Sequence, residues 1–191
     1  MIENVKQQKL AKAKKMMLLF GLLSITMTFA GLTSAYIVSK GRPDWTMDFN
    51  LPSEFFYSTF IIVLSSLTLL ISKRKLSSGK SINSVFNWTL STFILGLIFI
   101  VFQFIGFNNI IDQGYYFAGA QSAIKTSFIY VLSFLHTVHL VAGLIVLSVI
   151  MVNIKKGKYV KNNLGFNLGS NFWHYLGFLW LYLFSFFYFF G

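Results

Sequence analysis

The sequence predicts an all-α integral membrane bundle of five transmembrane helices, with the N-terminus inside and the C-terminus outside. Three observations carry that prediction. Only 11% of the 191 residues are charged while 55% are hydrophobic, against roughly 25% charged in an ordinary soluble domain. Five runs are apolar enough to cross a bilayer. The Lys and Arg residues collect on one side of those runs.

The imbalance excludes whole classes of function. Twenty-three Phe residues set against five acidic ones would leave a soluble monomer with apolar patches far beyond the few hundred Å² that such proteins tolerate. A net charge of +11 suits a nucleic-acid binder only when the cations share one soluble face, and here they are split among hydrophobic runs. The absence of cysteine rules out disulfides, iron-sulfur clusters and Cys-ligated zinc or copper.

A hydrocarbon core about 30 Å thick needs about 20 apolar helical residues, and the predicted spans are 16–38, 55–71, 85–107, 127–152 and 172–190. Residues 1–15 form a basic tail rich in Lys. Tail and first span together have the outline of a signal peptide, but Met16–Val38 exceeds the ~7–15 residues of a signal's apolar region, so a retained span is expected. The connections carry turn residues: Gly41, Pro43 and Asp44, then Ser77 to Gly79, then Gly114, then Gly157 to Gly165. None is long enough for a second domain, and 1–191 reads as a single transmembrane domain.

Orientation follows from the rule that cytoplasmic loops retain Lys and Arg. Lys6, Lys9, Lys12, Lys14 and Lys15 precede the first span; Lys73, Arg74, Lys75 and Lys80 follow the second; Lys155, Lys156, Lys158 and Lys161 follow the fourth. Of the 16 basic residues, only Lys40, Arg42 and Lys125 fall on the opposite side. Asp44, Asp48, Glu54 and Asp112 lie in outer loops or at outer span ends, so mid-span ionisable groups reduce to three histidines. Pumps and transporters use intramembrane ionisable groups as relays, which argues against a free-standing proton pump.

His136 and His139 are three residues apart on the fourth span, about 60° apart around the axis, so both can face one neighbour. With His174 of the fifth span they raise the alternative of a small b-type cytochrome. Against it, imidazoles in membrane bundles commonly serve helix packing and interhelical hydrogen bonds, and no carboxylate is at hand to orient a metal-bound imidazole. Gly143, one turn beyond His139, invites close approach of another helix. Gln103, deep in the third span, needs a hydrogen-bond partner. Trp88 and Trp173 sit where interface anchors sit, and Trp180 lies two turns above Trp173 on the same face as a packing residue. Gly31 with Ala35, and Ala30 with Ser34, form small-residue pairs that favour close helix contact.

Two helices carry a family resemblance. The fifth span reads Trp173-His174-Tyr175-Leu176-Gly177-Phe178-Leu179-Trp180 and closes on Phe190-Gly191; the fourth reads His136-x-x-His139-x-x-x-Gly143 after Thr126-Ser127-Phe128. These resemble subunit III of the haem-copper respiratory oxidases, whose closing helix follows Trp-His-aromatic-x-Asp-x-x-Trp with a terminal aromatic-Gly. Weaker agreement runs through Phe29-Ala30-Gly31-Leu32, Leu51-Pro52, Ser58-Thr59, Ser65-Ser66 and Leu95-Gly96-x-x-Phe99-x-x-x-Gln103, from about Met17 to the end.

The resemblance implies a short, five-helix form of a family whose longer members have seven helices. It further implies a non-catalytic subunit that packs against oxidase catalytic subunit I and other oxidase subunits in the bacterial cytoplasmic membrane. Haem and copper would then belong to the partner subunits and none to this chain, which would carry structural phospholipid. The complex would reduce dioxygen to water with proton pumping, oxidising cytochrome c or, alternatively, quinol. Three family carboxylates are replaced here, near Ile25, at Gly106 and at Gly177, so roles attached to them do not transfer.

Overall fold

The computed structural model describes residues 2–42, 45, 52–79, 81–115, 117, 124–160 and 163–190. Pro43, Asp44, Asp48, Leu51, Lys80, Lys161 and Gly191, named above, lie outside them. The elements are α1 (Ile2–Ser39), α2 (Glu54–Ser77), α3 (Ile82–Asp112), α4 (Ile124–Lys155) and α5 (Leu164–Phe190), with a single 3-10 turn, Lys158–Val160, before α5. Each α-helix is long and apolar enough to cross a membrane.

Every helix outruns its predicted span. A 38-residue α1 is about 57 Å long at 1.5 Å per residue, so the basic stretch expected as a tail is helical from Ile2 and continuous with the first span. At the other extreme, α5 begins at Leu164, eight residues before the predicted Phe172, because Asn167, Ser170 and Asn171 lower the local hydropathy without breaking the helix. Three helix ends share one device. Gly79, Gly114 and Gly157, each two residues past a helix, have φ of 65°, 86° and 66°, and the amide of each donates back to the last turn, at Leu76, Ile111 and Ile154. A side chain at such a left-handed C′ position would be strained, which is why glycine occupies it.

The helices alternate in direction. Thr26 pairs with Tyr175 and Thr33 with Tyr182 at the same sequence offset of 149, so α1 and α5 run parallel. Between α2 and α3 the partners move oppositely along the chain: Ser72 meets Thr89, Thr68 meets Thr92 and Ser58 meets Gln103, the mark of an antiparallel hairpin. Consequently the N-terminus of α1, the C-termini of α2 and α4 and the N-termini of α3 and α5 share one end of the bundle.

The buried residues of α3 are Val85, Thr89, Thr92, Gly96, Phe99, Gln103, Gly106 and Ile110, a repeat of four and three like that of a coiled-coil seam. On α2 the matching seam is Phe55, Ser58, Ile62, Ser65, Leu69 and Ser72. Small and hydroxylated side chains at these positions let two backbones approach closely in lipid, where burial of apolar surface gives no net drive. By contrast α1 is peripheral. Only 11% of its most apolar stretch is buried, against 33–44% in the other four helices.

Candidate functional site

The interior is organised around two tryptophans of α5. Trp173 and Trp180 are both fully buried, one turn pair apart on the face that α5 turns toward α2, α3 and α4. The Trp173 indole N–H donates to Ser65 Oγ of α2 at 3.2 Å, and the Trp180 N–H donates to Thr59 Oγ1 at 2.9 Å. A buried indole N–H without such a partner would cost free energy, so these serines and threonines are as much part of the site as the rings.

Trp173 corrects the sequence expectation of an interface anchor: α5 starts two turns earlier than predicted, and the ring lies inside the bundle. Glycines make room for it. A Cβ on Gly96 of α3 would lie 2.6 Å from Cη2 of the indole, and one on Gly143 of α4 would lie 3.1 Å from its Cε3 and 2.8 Å from Leu176 Cδ1. The ring is therefore gripped between two glycine notches on opposite helices. At Gly143 the groups that come close are the side chains of Leu176 and Trp173 on α5.

His136 is completely buried. Its imidazole is packed among Trp180, Phe99 and Phe29, with ring-centroid separations of 5.2, 6.0 and 6.4 Å, and neither ring nitrogen meets a hydrogen-bonding partner among the described residues. His139 points to the same Phe29 ring at 5.8 Å, and its Nδ1 pairs with the carbonyl of Leu135 on its own helix at 2.7 Å. The two histidines thus share one neighbour, the Phe29 ring of α1. His174 lies on a different face of α5, toward the end where Lys73 lies. The structure does not gather the three histidines, and no group of three His, Cys, Asp or Glu side chains able to hold a metal occurs among the described residues.

Gln103 donates from Nε2 to Ser58 Oγ at 2.9 Å in a fully buried setting. The Trp180 ring lies stacked on Phe55 at 5.8 Å and edge-on to Phe99 at 5.1 Å, so Phe55, Phe99, Trp180 and His136 form one aromatic block, its members worth roughly 0.5–1.5 kcal/mol per pair beyond area burial. Two of the positions where the family resemblance expects a carboxylate differ in the room they offer: a Cβ on Gly177 would sit a tight 3.0 Å from Ser66 Oγ, whereas one on Gly106 would meet the Phe55 ring at an ordinary 3.4 Å. Ile25, at the third, packs against the core.

The small-residue pairs of α1 do not work as expected within this chain. Ala30, Gly31, Ser34 and Ala35 are exposed, and a Cβ on Gly31 meets nothing within 4 Å. What holds α1 are the buried rings of Phe29 and Tyr36 together with hydroxyls: Tyr175 to Thr26 at 2.7 Å and to the Leu22 carbonyl at 3.1 Å, Tyr182 to Thr33 at 2.9 Å, and Tyr36 to the Phe190 carbonyl at 3.2 Å. The seven-residue step from Tyr175 to Tyr182, matched by Thr26 and Thr33, is the signal in the sequence that would have found this seam.

Residues 6–191 match the family described as cytochrome c oxidase subunit III. The chain is similar to cytochrome bo(3) ubiquinol oxidase subunit 3 of Pseudomonas aeruginosa, with 31% identity over 172 residues covering 86% of this chain and 78% of the relative. It is also similar to cytochrome c oxidase subunit 3 of Bacillus sp. strain PS3, 28% identical over 165 residues, 84% of this chain and 77% of the relative. A third relative is quinol oxidase subunit 3 of Bacillus subtilis, 27% identical over 164 residues, 82% of this chain and 77% of the relative.

Proposed function

The chain belongs to the cytochrome c oxidase subunit III family, and on that premise we propose that it is the non-catalytic third subunit of an aerobic cytochrome c oxidase, packed against catalytic subunit I and stabilising it with bound phospholipid. As a subunit III of the haem-copper oxidases it is a multi-pass membrane protein of a respiratory complex, which implies other oxidase subunits as partners. The observation that carries the non-catalytic reading is the setting of His136. Its ring is fully buried and packed among Trp180, Phe99 and Phe29, while His139 pairs with a carbonyl of its own helix and His174 lies on another face of α5, so the three histidines do not converge on one site. The histidines are packing groups, and haem and copper belong to the partner subunits.

The charge distribution supports a cytoplasmic N-terminus, since the shared end of the bundle holds Lys15, Lys73, Arg74, Lys75 and Lys155 and cations are retained inside. With no native cysteine, Ser78→Cys should react only with cytoplasmic reagents and Gln113→Cys with external ones. Labelling of Ser78→Cys from outside intact cells would reverse the orientation.

A second reading concerns the electron donor, and the quinol oxidase names of two relatives favour it. The test is to purify the tagged chain in mild detergent, identify the proteins that accompany it, and assay the complex with reduced cytochrome c and with ubiquinol. The proposal expects the large catalytic subunit and turnover with cytochrome c. Turnover with ubiquinol alone would select the second reading, and recovery of the chain without a large oxidase subunit would overturn both.

A further inference from the structure

We propose that one water molecule is bound inside the bundle between α3 and α4, held by Gln103, Ser133 and His136, and that it joins the two helices within the bilayer. The site is internal to this chain and does not depend on which oxidase carries it.

Unpartnered polar atoms carry the inference. Gln103, Ser133 and His136 are all fully buried, and Gln103 Oε1, Ser133 Oγ and both ring nitrogens of His136 meet no hydrogen-bonding partner among the described residues. All three residues belong to membrane-spanning helices, where bulk water cannot relieve the cost of a buried polar group left unbonded. The amide of Gln103 is oriented by its neighbours. The Ser58 hydroxyl donates to the Phe55 carbonyl at 3.0 Å, so its oxygen accepts from Gln103 Nε2 at 2.9 Å, and Oε1 is the end left over. His139 supplies the contrast on α4: its Nδ1 pairs with the Leu135 carbonyl at 2.7 Å, a bond to its own helix that His136 does not make.

The register of the helices brings these atoms to one level. Phe99 lies against His136 with ring centroids 6.0 Å apart. Phe107 lies against Tyr130 at 5.5 Å, and the Tyr130 hydroxyl donates to the Phe107 carbonyl at 3.3 Å. Since α3 and α4 run antiparallel, Gln103, four residues from each of Phe99 and Phe107, comes opposite the turn between Tyr130 and His136. Ser133, three residues from each of those two, occupies that turn. Ser133 and His136 share a face of α4 by their three-residue spacing, as Phe99 and Gln103 share a face of α3 by their four.

The chemistry of the set selects water. An amide oxygen only accepts, a hydroxyl donates and accepts, and an uncharged imidazole offers one donor and one acceptor, so the bridging group must do both. Water accepts from an imidazole N–H and from the Ser133 hydroxyl and donates to Gln103 Oε1, the three bonds typical of a buried water. A metal cation fits poorly, because none of the three side chains carries negative charge and a buried charge without a counter-charge is expensive. Through Nε2 and the water, Gln103 ties α2, α3 and α4 at one level. The same bond accounts for an imidazole among Phe29, Phe99 and Trp180: a phenyl ring in its place would fill the space but leave Ser133 and Gln103 one partner short.

The test is a density map of the full-length chain with whatever subunits accompany it, in lipid nanodiscs, at a resolution that shows ordered water. The expected result is one peak at hydrogen-bonding distance, roughly 2.5–3.2 Å, from Gln103 Oε1, Ser133 Oγ and one ring nitrogen of His136. Lack of a peak there would overturn the proposal, whether or not two of the side chains bond each other directly. So would a peak at the ~2.0–2.1 Å of a metal–imidazole bond. Thermal unfolding in detergent of Ser133→Ala, His136→Phe and the pair gives a second readout. If the two residues share a water, the pair should lower the transition temperature by less than the two single falls added together, because the second change removes a partner already lost. Strictly additive falls would contradict the shared water. Where a variant does not assemble, the map of the unmodified chain decides alone.

Discussion

The α1 helix and the α2–α3 hairpin are equally recognisable as membrane spans, yet they are held in opposite ways. In the hairpin, hydroxyl pairs run along the interface: Ser72 with Thr89 and Thr68 with Thr92, each at 2.8 Å, and Ser58 with Gln103 at 2.9 Å. These are buried, and the backbones are close because the residues are small. In α1 the small residues face outward, with Met17, Met27 and Val38 three-quarters exposed, and attachment to the rest rests on the buried rings of Phe29 and Tyr36 and on a few hydroxyl contacts with α5. Hydropathy says that a segment enters the bilayer. The placement of small and hydroxylated residues around the helix decides whether it belongs to the core or to the edge.

If that contrast is right, damage to the glycine-gripped tryptophan should be the most severe. Trp173→Ala removes a ring that touches α2, α3 and α4, and large-to-small changes of this kind cost roughly 3–5 kcal/mol. Loss of the folded chain from the complex, followed by thermal unfolding in detergent, reads it. An unshifted transition would mean that the core is not centred on α5.

Next comes a paired comparison of glycines. Gly143→Leu drives a side chain into Leu176 and Trp173 and should cost roughly 1–3 kcal/mol, as overpacking does. Gly31→Leu meets open space and should leave the chain's own unfolding within about 0.5 kcal/mol of the original. Equal destabilisation by both would erase the distinction between core and edge. A weaker effect belongs to the α1 seam. Tyr175→Phe with Tyr182→Phe removes hydroxyls worth about 0.6 kcal/mol each in membrane proteins, and it should raise protease cutting at the end of α1 near Gly41 while α2–α5 stay protected.

The fold was legible in the sequence to the level of five helices, because each span is a long apolar run. Its boundaries were less so. Asn167, Ser170 and Asn171 belong to α5 although they interrupt its hydropathy, and the misplaced start turned Trp173 from a core residue into an expected interface anchor. The heptad order of Gly169, Trp173, Leu176, Trp180 and Leu183, all buried, contains the correction. Small residues posed a different difficulty: Gly31 and Ala35 have the same spacing as any packing motif, and only the arrangement of neighbours shows that Gly96 and Gly143 face Trp173 while Gly31 faces out. Among the candidate site residues, Gln103 finds a hydroxyl partner, whereas His136 is enclosed by aromatic rings, an outcome that residue type alone does not specify.

The central claim is that the histidines pack the bundle and ligate nothing. Its direct test is the reduced-minus-oxidised spectrum, per chain, of the purified complex carrying His136→Leu with His139→Leu. The account predicts that complexes still containing the variant chain keep the haem absorbance of the original and its initial turnover, while dissociating more readily in detergent. Immediate loss of haem absorbance from complexes that retain the chain would contradict it and make His136 or His139 a ligand.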